Sequence, residues 1–106
     1  MLISLNCIDE EKPGAKWQQV FNKSWPFYKD WFLLEGASAR PGYLSSSSEL
    51  EKFMPELMPI YHQLCHLAGG DDLSARYLSM YCPPPYLAAC SQIAWTENEP
   101  ILVRNY

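Results

Sequence analysis

Three consecutive prolines, Pro83-Pro84-Pro85, divide the chain into two stretches of different periodicity. Such a run has no backbone N–H to donate and cannot be helical, so it forms a stiff extended spacer. Before it, apolar residues recur every three or four positions, as on a helix face; after it they alternate, as on a strand. The expected class is therefore α+β, a mainly helical segment followed by a β-hairpin.

Within the first stretch, residues 1–8 read as a short strand from Leu2, Ile3, Leu5 and Ile8, ended at Pro13-Gly14. Trp17, Val20, Phe21, Trp25, Tyr28, Trp31 and Phe32 then mark a helix face, and Gly36 stops it. Pro26 in the middle predicts a kink, or two abutting helices with Pro26 in the first turn of the second. Residues 37–48 are small and polar, a surface connection. Ser46-x-x-Glu49 and Ser48-x-x-Glu51 are capping-box patterns that put the next helix start there. Leu50, Phe53, Met54, Leu57, Met58, Tyr61, Leu64, Cys65 and Ala68 predict one long helix ending at Gly69-Gly70, bent by Pro55 and Pro59. Asp71 or Asp72 caps a last helix with Leu73, Tyr77, Met80 and Tyr81 inside. The expected core is Trp17, Phe21, Trp31, Phe53, Leu57, Tyr61, Leu64 and Tyr77.

Composition removes several function classes. With 106 residues there is room for one small domain, and 48% apolar against 19% charged residues is an ordinary globular balance. Eight Lys+Arg against twelve Asp+Glu give a net charge of −4, the wrong sign for a nucleic-acid binder. No apolar run is long enough to span a membrane, and Asp9, Glu10 and Glu11 oppose a secretory signal, so the expected compartment is the cytosol. Cys7, Cys65, Cys82 and Cys90 include no Cys-x-x-Cys pair, and each reads first as a small buried hydrophobe.

Four groups of residues are candidates for chemistry. His62 and His66 share a helix face at the spacing that holds zinc. Gln63 stands where a metalloprotease has its glutamate, Cys65 points away, and no third ligand is near in sequence, so no metal is expected. The aromatic cluster Trp17, Phe21, Trp25, Phe27, Tyr28, Trp31 and Phe32 reads as core rather than as a ligand cage. The serines 45–48 read as a capping segment before a phosphate site. In the hairpin, a symmetric five-residue loop over residues 96–100 sets Trp95 opposite Ile101, so paired numbers sum to 196. Cys90, Gln92, Arg104 and Tyr106 then share one face, with Cys90 diagonal to Arg104 at roughly 7–8 Å between Cα atoms. A guanidinium that close favours thiolate over thiol, and a one-residue slip would move it to the other face.

Ala89-Cys90-Ser91-Gln92 followed by Glu99-Pro100-Ile101-Leu102-Val103-Arg104-Asn105-Tyr106 resembles the autoprocessing cysteine acyltransferases and linear-amide hydrolases akin to penicillin acyltransferase. These are N-terminal-nucleophile hydrolases of αββα architecture, with bile-salt hydrolases as more distant relatives. Trp31-Phe32-Leu33, Ala39-Arg40-Pro41, Met54-Pro55-Glu56-Leu57, the segment Leu67-Ala68-Gly69-Gly70-Asp71-Asp72 and Pro83-Pro84-Pro85-Tyr86 resemble the propeptide of the same family.

The resemblance implies a precursor that cleaves itself between Ala89 and Cys90, with residues 1–89 the mainly helical propeptide and 90–106 the start of the catalytic chain. It makes Cys90 the nucleophile and Arg104 a catalytic and substrate-binding contact. Asn105 and Tyr106 continue the substrate-binding motif, whose next residue, an Asp, would lie past position 106. Ala89 stands where the family commonly has Gly, and this segment alone is expected to be inactive. The implied partners are the remainder of the catalytic chain, a small amide or acyl substrate and a possible second copy, with no cofactor. The competing readings are a non-catalytic helical interaction module and a small metal protein built on His62, His66 and a thiol.

Overall fold

The computed structural model describes residues 7–84, 91–95 and 101–105. The expected first strand falls mostly outside these residues, and Cys7 and Ile8 are irregular. Four helices, α1 (Ala15–Phe32), α2 (Tyr43–Phe53), α3 (Met58–Leu67) and α4 (Asp72–Leu78), precede two strands, β1 (Ser91–Trp95) and β2 (Ile101–Asn105). Short 3₁₀ turns, Ala37–Ala39 and Pro55–Leu57, lead into α2 and α3.

The start of α1 is capped from a distance. Its N-cap residue, Gly14, offers no side chain, and the carboxylate of Glu10 folds over the end instead. Glu10 accepts hydrogen bonds from the backbone N–H groups of Gly14 (3.1 Å), Lys16 (2.9 Å) and Trp17 (2.9 Å). Those are donors that the first turn of any helix leaves unpaired. Partial burial pushes this carboxyl up, but the three N–H groups outweigh it and hold the pKa below the usual carboxylate value. Of the two outcomes expected at Pro26, two abutting helices do not occur: α1 runs through Pro26 as a single element. Ser24, two residues before Pro26, has its Oγ donating to the Val20 carbonyl at 2.9 Å.

Apolar packing centres on α1 and α4. Trp17, Phe21 and Trp25 stack in sequence along one side of α1, with ring centroids 5.0 and 5.3 Å apart. Tyr77 of α4 meets Trp25, Tyr28 and Phe32 at 5.1, 5.6 and 5.9 Å. Phe21 and Phe32 are buried, as are Tyr61 and Ala75. The aromatic cluster is core in part, with two corrections: Phe27 lies on the opposite side of α1 and is 78% exposed, and Tyr28, though it meets Tyr77, is 44% exposed.

The expected single long helix over residues 48–68 is overturned. Helix α2 starts at Tyr43, five residues before Ser48, so the serines 45–48 lie inside it rather than capping it, and Ser46 is fully buried. That removes the helix-end phosphate site as well. The chain then breaks at Met54, and Pro55 and Pro59 occupy first-turn positions of the 3₁₀ turn and of α3. The reason is elementary: proline has no N–H to lose in a first turn, whereas inside a helix it clashes with the preceding turn. The break also turns the stripe outward. Phe53 and Leu57, expected in the core, are exposed, and Trp17, Trp31, Leu64 and Tyr77 are half-buried.

Asp71 caps α4 as expected, its carboxylate accepting from the Ser74 N–H at 3.1 Å. The buried face of that helix is not Leu73, Tyr77, Met80 and Tyr81, however. Ser74, Ala75 and Arg76 are buried, with Ser79 just past the end, and Met80 is exposed. Small side chains let α2 and α4 approach closely, and the hydroxyls bond locally: Ser79 Oγ donates to the Arg76 carbonyl at 2.7 Å.

Candidate functional site

The two strands pair antiparallel with Trp95 opposite Ile101, Ala94 opposite Leu102, Ile93 opposite Val103, Gln92 opposite Arg104 and Ser91 opposite Asn105. Every pair sums to 196, the register read from the sequence. Gln92 and Arg104 therefore occupy one face of the ladder and Ser91 and Asn105 the other, because side chains alternate along a strand. Ala89, Cys90 and Tyr106 lie outside the described residues, as does the 96–100 loop. On β2, Ile101, Leu102 and Val103 are all exposed, so apolar side chains face outward on both sides of the strand. A strand that is apolar on both faces fits the interior of a covered sheet.

The other candidates separate. His62 and His66 sit one turn apart on α3, both exposed, with the Tyr61 ring tilted beside His62 at 5.9 Å between rings. Among the described residues no three His, Cys, Asp or Glu side chains come together in a way that would hold a metal ion. Cys65 is half-buried on the other side of α3 and burial pushes its thiol pKa up, the direction of an inert thiol. Its neighbour Tyr61 is shifted up by the same burial, and the Tyr61 hydroxyl donates to the Ala75 carbonyl at 2.8 Å. Cys7 and Cys82 are exposed. The bland expectation of a buried thiol fails at both.

One functional-looking residue escaped the sequence reading altogether. Arg76 is nine-tenths buried, and its guanidinium gathers three carbonyls of the α1–α2 connection. Nε donates to Pro41 O at 2.9 Å, and Nη2 donates to Ala37 O at 2.6 Å and to Arg40 O at 3.0 Å. Asp72 lies 3.6 Å from Nη1, and the ring of Phe32 sits beneath the guanidinium at 5.9 Å. With its donors committed to the protein's own backbone, Arg76 is a clamp and not an anion site. Only its position one turn after Asp72 could have drawn attention to it, and that pairing is common on exposed helices.

A cavity of about 300 Å³ beside α3 and α4 is lined by Tyr43, Cys65, Gly70, Asp71, Asp72 and Ala75. Its carboxylates are engaged, Asp71 by the cap of α4 and Asp72 by Arg76. Among the described residues, no helix is long and apolar enough to cross a membrane. No known family, curated protein or solved structure matches the chain.

Proposed function

We propose that the chain is the N-terminal portion of an autoprocessing cysteine amidohydrolase or acyltransferase, with Cys90 as nucleophile and Arg104 as its anion-holding partner. The observation that supports this reading is the ladder register, which puts Arg104 opposite Gln92 rather than on the face of Ser91. Were the ladder to continue by one residue, Cys90 would face Tyr106 on the same side as Arg104 and diagonal to it.

The chemistry explains why such a nucleophile would need cleavage. A cysteine thiol with a pKa of about 8.5 is only slightly ionised at neutral pH and needs a base. An α-amino group titrates at about 7.7–8.0 and can serve from the same residue. In an intact chain the Cys90 nitrogen is an amide and cannot accept a proton, so the precursor is latent. In the self-cleavage, Cys90 Sγ attacks the Ala89 carbonyl and the C–N bond breaks. The acyl group is left on sulfur as a thioester and the amine is freed with a proton. Water then hydrolyses the thioester to the Ala89 carboxylate and the Cys90 thiol. Substrate amides follow the same course, with Arg104 holding negative charge.

The test is intact mass of the protein carrying this segment together with the rest of the catalytic chain. Two chains, one ending at Ala89 and one beginning at Cys90, are expected, and Cys90→Ala should remain uncut. Wild-type cleavage in Cys90→Ala overturns the proposal. Arg104→Lys should lower kcat and kcat/KM together, because lysine lacks the planar paired donors. Unchanged kinetics would remove Arg104 from the site.

A further inference from the structure

Among the described residues, backbone of positive φ falls on glycine at Gly36, Gly69 and Gly70, and on a residue with a side chain at Met80 and Cys82. The last two lie just past the end of α4, with φ of 54° and 47°. The left-handed region crowds Cβ against the following carbonyl oxygen and disfavours a non-glycine residue by roughly five- to thirtyfold. Cys82 carries a second penalty. Pro83 follows it, and the residue before a proline is pushed toward extended backbone. Met80 stands just after a helix, where glycine is the usual residue in this conformation. The contrast with α3 is direct, since that helix ends on Gly69-Gly70, which reach positive φ without a steric cost.

Strained backbone persists only where its surroundings over-determine it. At the end of α4 the hold is local and slight. The Met80 N–H donates to the Tyr77 carbonyl at 3.1 Å, and the Tyr81 N–H donates to Ser79 Oγ at 3.2 Å. Ser79 is buried, and its hydroxyl is anchored in turn by donating to the Arg76 carbonyl at 2.7 Å. The strained side chains themselves are not buried. Met80 is 53% exposed, and Cys82 is exposed with its thiol hydrogen-bonded to the hydroxyl of its neighbour Tyr81.

We propose that residues 80–82 are a two-state hinge at the exit of the helical region. In one state the chain reverses as it does in this structure, with Pro84 buried. In the other, Met80 and Cys82 take extended backbone, the Tyr81 N–H leaves Ser79, and Pro83 and Pro84 swing away from α4. Ser79 keeps its bond to Arg76 in both states, so the helix and its buried arginine stay in place while the segment after them changes direction. The hinge thus sets whether the chain leaves the helices doubled back or straight. The extended state is a minor one, populated at roughly 0.1–10% and exchanging in microseconds to milliseconds. This inference does not depend on the catalytic reading above.

The test is relaxation-dispersion NMR of the chain. Exchange on the millisecond scale is expected at the amides of Met80, Tyr81 and Cys82, with flat profiles through α3 and through Tyr77 and Leu78. Met80→Gly and Cys82→Gly relieve the strain, and each should lower the minor population about fivefold or more. Cys82→Val should do the opposite, because a β-branched residue before proline favours extended backbone. Its Tyr81 and Ser79 shifts should move toward those of the wild-type minor state, and the Tyr81 amide should exchange with solvent at least about tenfold faster. Unchanged circular dichroism verifies that each variant folds. A wild type without exchange at 80–82 overturns the proposal, as does a minor population indifferent to both glycine variants. Exchange that runs back through Tyr77 and Leu78 at the same rate also overturns it, because that is fraying of α4 and not a hinge after it.

Discussion

The helical region and the hairpin are held together by different kinds of contact. Between residues 13 and 76, side chains reach across the sequence to close the structure. Gln18 donates to the Leu67 carbonyl at 2.8 Å, Gln63 to the Pro13 carbonyl, Tyr61 to Ala75, and Arg76 to the α1–α2 connection. The hairpin has its own ladder and little else: no helix packs broadly against it among the described residues, and β2 exposes apolar side chains on both faces. A lone two-stranded hairpin is marginal in water. The helical region therefore carries its own stability, whereas the hairpin has the surface of an element that needs more sheet around it.

The comparison would break first at the rings of α1. Phe21→Ala removes the ring between Trp17 and Trp25 and should cost about 3–5 kcal/mol, measured by urea unfolding. Arg76→Met strips three carbonyls of their donor in a buried place and should cost roughly 3 kcal/mol. A loss below about 1 kcal/mol would mean that the connection 37–41 finds other partners. Tyr61→Phe removes one buried hydrogen bond between α3 and α4, an expected loss of about 1–2 kcal/mol.

Acid should sharpen the comparison within the helical region. The folded state holds the Glu10 carboxyl below its ordinary value of 4.5. Its contribution is therefore fully present above that value and is lost as the pH falls through the lower, folded pKa. Glu10→Gln should thus be less stable than wild type near neutrality, and the two should converge in acid. A constant difference across the range would show that the cap does not depend on charge. At the small end, Leu102→Thr on the exposed face of β2 should shift the helical unfolding transition by less than about 0.5 kcal/mol. A larger shift would mean that the hairpin supports the helices.

Local patterns were the most readable in the sequence. Asp71 and Asp72 were both visible as cap candidates between the Gly69-Gly70 stop and an apolar-periodic run, and the bond from the Ser74 N–H assigns the cap to Asp71. The hairpin register followed from a loop of odd length between two alternating runs, and the ladder has that register. The same kind of reading failed at the serines 45–48. Two capping boxes fitted the pattern, but Gly42 supplies an equally good start four residues earlier, and Ser46 is small enough to pack under α4. Of the proposed site, Gln92, Arg104 and their pairing were legible before the fold was known.

What the sequence determined by itself rests on neighbours along the chain. Helical spacing over 15–32, the stop at the prolines and the pairing of β1 with β2 each involve residues a few positions apart, so propensity and turn geometry decide them. What the tertiary structure alone decided involves distant partners. Gln18 reaches the Leu67 carbonyl only across the folded helices, and Arg76 became a buried clamp only when the 37–41 connection wrapped it. Pro55 and Pro59 could have bent one long helix or begun two new elements. The second outcome leaves Leu57 and Phe53 exposed, and it stands because first-turn prolines forfeit no hydrogen bond, while Tyr61 still reaches Ala75 to join α3 to α4.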